Sequence, residues 1–389
     1  MNSDLLGSLR REARLAPASG IVEVANYGRT RPGLIPLWVG EGDLSTPAFI
    51  CEAAARSMAA GETFYTWQRG IPELRAALAR YHERQFGRPF SPERFFVTGS
   101  GMQSIQLAIS ALAGPGDEAI VLTPAWPNFS AALALSGATV VEVDLDFAGR
   151  EWTLDIDRLV AAVTPRTRVI FINSPANPTG WTAPKEQLRA ILDLARERGI
   201  WIVADEVYNR FVFDAPRAAS FYDVAEDDDR ILYVNTFSKN WAMTGWRIGW
   251  ISAPPALGDV LENLVQYSTS GVAAFMQRAA IAALDEGDAF VDEQVRRAAE
   301  GRRIICEALA QSNRTEFAWP AGAFYAFFAL AGEDDTRALA FRLIDEAKIG
   351  IAPGTAFGSS GSRFMRLCFA RRADDLHEVA NRLGNWLGG

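Results

Sequence analysis

Histidine and cysteine are scarce in this chain. Its 389 residues include two histidines and three cysteines. Both histidines, His82 and His377, occur in charged segments with helical spacing, so we expect them on solvated helix faces. A Ser-His-Asp triad and a histidine-rich metal site are therefore not expected, and the sequence predicts no bound metal ion.

The cysteines, Cys51, Cys306 and Cys368, are scattered and have the spacing of neither a disulfide framework nor a metal site. Unpaired thiols of this kind suit a reducing compartment. The first residues lack the apolar run of a signal peptide, and no apolar stretch reaches membrane-spanning length. We therefore expect a cytoplasmic protein that does not contact membranes.

A large surface of one charge sign is lacking as well. The 39 Lys and Arg residues are interleaved with 47 Asp and Glu residues along most of the chain, and the net charge is -8. This balance argues against nucleic acid or an anionic membrane as a partner. A small anionic ligand remains compatible with it, because a single buried arginine can decide such binding locally.

Helical and strand-like segments alternate through most of the chain. Apolar residues at three- and four-residue spacing predict helices over residues 49–60, 71–85, 102–113 and 183–199. Short apolar runs with little alternation are typical of strands buried on both faces of a sheet, and they cover residues 94–99, 118–124, 167–175, 199–206, 231–239 and 248–254. The alternation predicts an α/β fold with a mostly parallel sheet.

The length of the chain favours two domains. We predict an N-terminal arm over residues 1–45, with a short polar helix followed by an extended segment. A large three-layer α/β domain with a mostly parallel central sheet is predicted over 46–280. One long helical stretch near 275–312 leads into a smaller α+β domain over 281–389, to which the arm also belongs.

Polar residues follow the buried strands at the points where those strands end. These residues are Ser100, Gly101 and Met102, then Trp126, Asn177, Asp205, Tyr208, Thr236, Ser238 and Lys239, with Arg247 eight residues beyond the lysine. In open α/β sheets, ligands bind beyond the carboxyl ends of the strands. We therefore expect these side chains to converge on one crevice.

Several segments resemble, in order, the motifs of the class I/II aminotransferases of the fold-type-I pyridoxal phosphate superfamily, which includes the aspartate and aromatic aminotransferases. They are LWVGEGDLSTP (37–47), FYTWQRGIPELR (64–75), NPTG (177–180), ADEVY (204–208), FSK (237–239), TGWRIG (244–249), APGTAFG (352–358) and MRLCFA (365–370). NPTG alone would be weak, but ordered motifs across nearly the whole chain are specific. A dinucleotide-binding reading of TGSGMQS fails, because Ser104 stands where the third glycine belongs.

The resemblance implies a role for each of these residues with pyridoxal 5'-phosphate. Lys239 would hold the cofactor as an imine, Asp205 would pair with its pyridine nitrogen, and Tyr208 with Asn177 would bind its phenolic oxygen. The cofactor phosphate and ring would be bound by Ser100, Gly101, Met102, Thr236, Ser238, Arg247 and Trp126. Tyr65 would reach the phosphate of a neighbouring subunit, which implies a homodimer.

Arg366 stands inside an apolar strand, where an unpaired guanidinium is costly, so we expect it to have a carboxylate partner. The resemblance supplies the α-carboxylate of a substrate, with Gly40, Trp126 and Asn177 as neighbours. Taken singly, these residues also have structural readings. Asn177 could be a turn residue, Tyr208, Trp126 and the FYTW segment could be core, and Glu206 could be a capping acid.

The family resemblance predicts transfer of an amino group from an L-amino acid to a 2-oxo acid by a ping-pong mechanism. A carbon–sulfur β-lyase is the alternative enzyme, and a non-catalytic binding module is the alternative of another class. The stretch 268–277 contains no arginine for gripping a second carboxylate. Trp38, Trp67 and Trp241 adjoin the predicted site, and we expect them to line an apolar pocket for the substrate side chain.

Overall fold

A computed structural model describes residues 3–388 of the protein. The strands are β1 (Ile35–Pro36), β2 (Phe95–Thr98), β3 (Glu118–Thr123), β4 (Thr139–Asp144), β5 (Asp146–Ala148), β6 (Glu151–Thr153), β7 (Thr167–Asn173), β8 (Trp201–Asp205), β9 (Ile231–Thr236), β10 (Gly249–Ser252), β11 (Thr315–Phe317), β12 (Tyr325–Leu330), β13 (Ile349–Gly350), β14 (Ala352–Pro353) and β15 (Phe364–Cys368). The helices are α1 (Ser3–Gly7), α2 (Arg11–Arg14), α3 (Gly20–Gly28), α4 (Ala48–Ala59), α5 (Pro72–Phe86), α6 (Gly101–Leu112), α7 (Asn128–Ser136), α8 (Ile156–Ala161), α9 (Lys185–Arg198), α10 (Phe237–Asn240), α11 (Gly258–Gln266), α12 (Ala274–Glu286), α13 (Asp288–Ala310), α14 (Thr336–Arg342) and α15 (Ala373–Gly388).

The central sheet has seven strands in the order β2-β10-β9-β8-β7-β3-β4. Its strands run parallel except β10, which is antiparallel to both of its neighbours. Successive residues of a strand point to opposite faces, so Ile120 packs in one hydrophobic cluster and Val121 in the other. The clusters contain α5, α9 and α12 on one face and α6, α7 and α11 on the other. The predicted three-layer α/β architecture is confirmed.

A second, antiparallel sheet lies in the C-terminal part of the chain, in the order β11-β12-β15-β14. The N-terminal arm joins this part, because β1 pairs in parallel with β13 and the Leu37 amide donates to the Gly350 carbonyl at 2.6 Å. The arm and the C-terminal segment are therefore linked by backbone hydrogen bonds. The domain boundaries at residues 45 and 280 remain predictions.

Two helical segments differ from expectation. The arm contains α3 where an extended segment was predicted, and Ser19 caps it by accepting a hydrogen bond from the Val22 amide at 3.3 Å. The single long helix predicted near 275–312 is divided into α12 and α13 at Gly287. A Cβ atom at Gly287 would lie 2.5 Å from Trp241 Nε1 and 2.3 Å from the Ala283 oxygen, so the break excludes any larger residue.

The prediction for His82 is wrong. The side chain is 2% exposed and is surrounded by aromatic rings, including those of Phe95 and Tyr222. Its Nδ1 donates to the Leu78 carbonyl at 2.8 Å, and burial lowers the pKa of the imidazole to about 4. The charged neighbours in the sequence concealed a core position, because only one face of α5 is solvated. His377 is exposed, as predicted.

Within residues 3–388, no helix combines the length and the apolar character that crossing a membrane requires.

Candidate active site

The carboxyl ends of three adjacent strands bring the predicted residues together. β7, β8 and β9 are neighbours in the sheet, and the register pairs Asn173 with Asp205 and Asp205 with Val234. The loop after β7 carries Asn177, and the short helix α10, which follows β9, carries Lys239. Parallel strands end at the same edge of a sheet, so residues distant in sequence share one crevice.

Lys239 places a side-chain amine at this edge of the sheet. Its Nζ donates to the Gly40 carbonyl at 2.7 Å and lies 5.8 Å from the centre of the Tyr208 ring. Burial lowers the pKa of the amine to about 8, because the charged form loses solvation. About a tenth of the amine is thus neutral at pH 7, and the neutral amine is the nucleophile.

Asp205 is a buried acid with few partners. It is 3% exposed, and its carboxylate accepts a hydrogen bond from the Val207 amide at 3.3 Å. Burial raises the pKa of this carboxyl to about 7, and the positive charge of Lys239 offsets the effect only in part. An acid in this condition favours binding of a cationic group, which would restore its ionised form.

Tyr325, on β12, was not among the residues predicted for this edge. Its side chain is fully buried, and its hydroxyl lies 2.7 Å from that of Tyr208. The apolar surroundings in GAFYAFFAL made this tyrosine resemble a core residue. The feature that places Tyr325 near the site is strand pairing. Tyr325 lies opposite Cys368, and Phe327, two residues further along β12, pairs with Arg366.

Arg366 is 2% exposed on β15. Its Nη1 donates to Asn177 Oδ1 at 2.9 Å, and its Nη2 donates to the Trp38 carbonyl. Both acceptors are neutral, and Nε has no acceptor within residues 3–388. No carboxylate is among these acceptors of Arg366. The guanidinium is therefore suited to an incoming anion.

Gly40 lies close to both the lysine and the tyrosine pair. A Cβ atom at this position would lie 2.1 Å from the Tyr325 hydroxyl oxygen, so no larger residue fits without displacing that hydroxyl. The same glycine offers its carbonyl to Lys239. At residue 40 the arm therefore meets the crevice with backbone alone.

The start of α6 lies at the same edge of the sheet, and helix starts of this kind favour anions. Ser100 caps this helix by accepting from the Gln103 amide at 3.0 Å, and the helix begins at Gly101. The hydroxyls of Thr236 and Ser238 lie 2.9 Å apart where β9 meets α10. A Cβ atom at Gly249 would lie 2.9 Å from the Gly101 nitrogen, so close approach of β10 to the helix start requires glycine there.

The remaining predicted residues at this edge are less enclosed. Arg247 is exposed, has a left-handed backbone with φ 53°, and donates to the Thr244 carbonyl at 2.6 Å. Met102 is half-buried, and its sulfur lies 3.6 Å from Asn128 Nδ2. Trp126 is half-buried against the hydrophobic cluster that contains α6 and α7.

Tyr65 is 92% exposed, so the reading of FYTW as core is wrong for this chain alone. Three further large side chains are exposed near it in sequence or space, namely Phe64, Trp67 and Tyr267. The segment 64–67 and the segment 267–271 are adjacent, because a Cβ atom at Gly271 would lie 3.3 Å from the Trp67 carbonyl. Exposed aromatic side chains in adjacent segments mark a surface that favours a protein partner.

The three tryptophans do not form the apolar pocket that we expected. Trp241 is fully buried, with its ring 5.1 Å from Phe237, and Trp38 is 6% exposed and packs over Gly350. Trp67 lies on the surface. A cavity beside Lys239 is instead lined partly by polar residues, including Glu41, Thr244, Gln294 and Arg297.

The fold and this edge define a class of enzyme that places a lysine amine and a buried acid at the carboxyl end of an α/β sheet, where a small molecule binds. The profile of the family described as Aminotransferase class I and II matches residues 32–383. The aspartate aminotransferase of Thermotoga maritima is 34% identical over 91% of this chain and 91% of its own length.

The aspartate/prephenate aminotransferase of Thermus thermophilus is 34% identical over 98% of this chain and 99% of its own. Among solved structures, an aspartate aminotransferase from Thermotoga maritima superposes with a TM-score of 0.92 at 32% identity, covering 98% of this chain and 100% of that one. The chain therefore belongs to the class I and II aminotransferase family, and it is an aminotransferase.

Proposed function

We propose that the enzyme binds pyridoxal 5'-phosphate through Lys239 and transfers an amino group from an L-amino acid to a 2-oxo acid by a ping-pong mechanism. The observation that carries the proposal is the pairing of a half-buried amine at Lys239 with a buried acid at Asp205. The amine has a lowered pKa, and the acid lacks a cationic partner in contact with it. Family membership supports the choice of cofactor.

The residues of the crevice fit this cofactor. Asp205 would pair with the pyridine nitrogen, Tyr208 and Asn177 would hydrogen-bond the phenolic oxygen, and Trp126 would stack on the ring. The phosphate would be held at the start of α6 by the groups already described there and after β9, namely Ser100, Gly101, Met102 through its backbone, Thr236, Ser238 and Arg247. When bound, the cofactor supplies an aldehyde that condenses with amines and a cationic ring that withdraws electrons from the substrate Cα.

Asp205 would keep that ring cationic. Two unit charges about 4 Å apart interact by about 4 kcal/mol at an effective dielectric constant of about 20. This energy corresponds to roughly three pKa units before desolvation is subtracted. Ionised Asp205 would therefore hold a proton on the pyridine nitrogen near neutral pH.

Arg366 and Lys239 would act on the substrate. The Arg366 guanidinium would grip the α-carboxylate, with Asn177 and Gly40 beside it, and so orient the substrate Cα. The Lys239 amine, released from the cofactor by the incoming amino group, would take the proton from Cα and return it to the cofactor carbon. Its pKa of about 8 suits a group that serves as both base and acid.

Replacing Lys239 with Ala tests the proposal. We expect loss of amino transfer by at least about 10³-fold, because both the anchoring amine and the proton carrier are removed. The purified variant should also lack the visible absorbance of a lysine-bound cofactor. Lys185→Ala, at an exposed position on α9, is the matched control and should behave as wild type. An undiminished rate in Lys239→Ala would refute the proposal.

The β-lyase alternative is not favoured, since the relatives reported above are aminotransferases. Adding amino acids one at a time to the cofactor-loaded enzyme distinguishes the two activities. An aminotransferase converts its cofactor to the aminated form in a single turnover, whereas a β-lyase steadily releases pyruvate and ammonia. The same series of amino acids would identify the donor.

We further propose a homodimer in which Tyr65 reaches the phosphate site of the neighbouring subunit. The exposed Phe64, Tyr65, Trp67 and Tyr267 support this assembly, because contact with a second copy would bury them. Sedimentation should give twice the chain mass, and a monomer at micromolar concentration would contradict the proposal. Three free thiols support a cytoplasmic location.

A further inference from the structure

Tyr325 lies between the part of the crevice assigned to the cofactor and the part assigned to the substrate carboxylate. Its hydroxyl is 2.7 Å from the Tyr208 hydroxyl. The Arg366 guanidinium carbon lies 4.6 Å from the centre of the Tyr325 ring. The side chain thus contacts one residue from each part while being fully buried itself.

The hydroxyl of Tyr325 has a defined place. It fills the space that a Cβ atom of residue 40 would occupy, at 2.1 Å from that position. Gly40 in turn accepts the hydrogen bond from Lys239. A tyrosine that served only to fill the core could be replaced by phenylalanine without consequence, yet here a glycine and a second tyrosine are both arranged around the oxygen.

The direction of the hydrogen bond between the two tyrosines has chemical consequences. A hydroxyl has one proton to donate and two lone pairs to accept with. When Tyr325 donates to the Tyr208 oxygen, the Tyr208 proton must point elsewhere. The Tyr208 ring centre lies 5.8 Å from Lys239 Nζ, so a Tyr208 proton that turns away from Tyr325 is directed into the crevice.

We infer that Tyr325 is a positioning residue, which donates its hydroxyl proton to Tyr208 and thereby directs the Tyr208 proton toward the phenolic oxygen of the cofactor. This inference rests on the proposed function. Arg366 favours the arrangement, because its positive charge over the Tyr325 ring makes Tyr325 the better donor of the pair. Tyr325 acts through Tyr208, to which its hydroxyl is hydrogen-bonded.

A pH titration of the visible absorbance tests this role. In Tyr325→Phe the Tyr208 proton is no longer directed, so the phenolic oxygen loses part of a hydrogen bond and becomes more basic. The proton shared by that oxygen and Lys239 should then be retained to higher pH, by about half a unit to one unit. Tyr208→Phe should give at least as large a shift.

The double variant Tyr208→Phe/Tyr325→Phe separates positioning from structural damage. If Tyr325 acts through Tyr208, adding Tyr325→Phe to Tyr208→Phe should move the absorbance transition no further. An unmoved transition in Tyr325→Phe, or equal shifts with and without Tyr208, would overturn the inference. Absence of any cofactor band from the wild-type enzyme would overturn the proposed function, and the inference with it.

Steric rescue at Gly40 checks the placement of the hydroxyl without any cofactor. Gly40→Ala should lower the melting temperature of the cofactor-free protein, because the new methyl group meets the Tyr325 oxygen. Removing that oxygen leaves the ring carbon Cζ as the next atom, at 3.1 Å, so Gly40→Ala/Tyr325→Phe should recover most of the loss. Equal melting temperatures for Gly40→Ala with and without the Tyr325 hydroxyl would contradict this placement and overturn the inference.

Discussion

Asp205 and Glu206 are consecutive buried acids with opposite surroundings. They are 3% and 4% exposed, and burial raises the pKa of each to about 7. Glu206 accepts hydrogen bonds from the Ser220 hydroxyl at 2.8 and 2.7 Å and from the Phe221 amide at 3.2 Å. Asp205 accepts one, from the Val207 amide. Successive residues of a strand end point to opposite sides, so one acid enters the crevice and the other the protein interior.

Hydrogen-bonding partners therefore distinguish these two neighbouring acids, whereas burial and pKa do not. Glu206 lies directly after β8 and accepts from the Phe221 amide at the start of the short 3₁₀ turn Phe221–Asp223, whose cap residue is Ser220. Asp205 is left with unused acceptor capacity facing the crevice. An acid that the chain itself does not satisfy is the one prepared for a ligand.

Asp205→Asn should give the largest difference between the two acids, and it should appear in the rate of amino transfer. An amide carries no negative charge, so the cationic ring loses about 4 kcal/mol of stabilisation, and kcat/KM for amino transfer should fall by about 10³-fold. Glu206→Gln is the matched control and should stay within about threefold of wild type. A wild-type rate in Asp205→Asn, measured with cofactor saturating, would show that this acid is not functional.

The pH dependence of stability in the cofactor-free protein should give the next largest effect. A carboxyl whose pKa is raised from 3.8 to about 7 on folding stabilises the fold below pH 4, and this stabilisation is lost as pH rises through 7. In the wild type, Asp205 should account for a fall of about 3 kcal/mol in unfolding free energy between pH 5 and pH 8. Asp205→Asn should abolish this part of the fall. Identical pH profiles for wild type and variant would contradict the assignment.

Glu206→Ala should give the smallest of the three effects. It should lower the free energy of unfolding and leave amino transfer almost unchanged. The Ser220 hydroxyl and the Phe221 amide lose their acceptor inside the protein, which costs about 2 kcal/mol. Activity per folded molecule should remain within about threefold. Glu226→Ala, at an exposed position, is the control for thermal denaturation. A Glu206→Ala variant as stable as wild type would mean that the hydrogen bonds to Glu206 are dispensable.

Sequence reasoning located the strand ends well and misread individual buried side chains. Asn177, Asp205 and Lys239 were found because polar residues directly follow apolar runs, and the sheet brings them to one edge. Tyr325 and His82 were missed for different reasons. β12 is buried at every position, so its pattern cannot say which neighbour a side chain meets, whereas the charged neighbours of His82 concealed a core position on the amphipathic helix α5.

The amino-acid order is enough to predict the α/β alternation, the family and the position of Lys239 just after a buried strand, because these depend on local periodicity and on residues near each other along the chain. Tertiary structure alone decided that Tyr325 meets Tyr208 and that Gly40 must lack a side chain. Those contacts join segments separated by more than 100 residues, and their distances follow from how the arm, the central sheet and the C-terminal sheet pack.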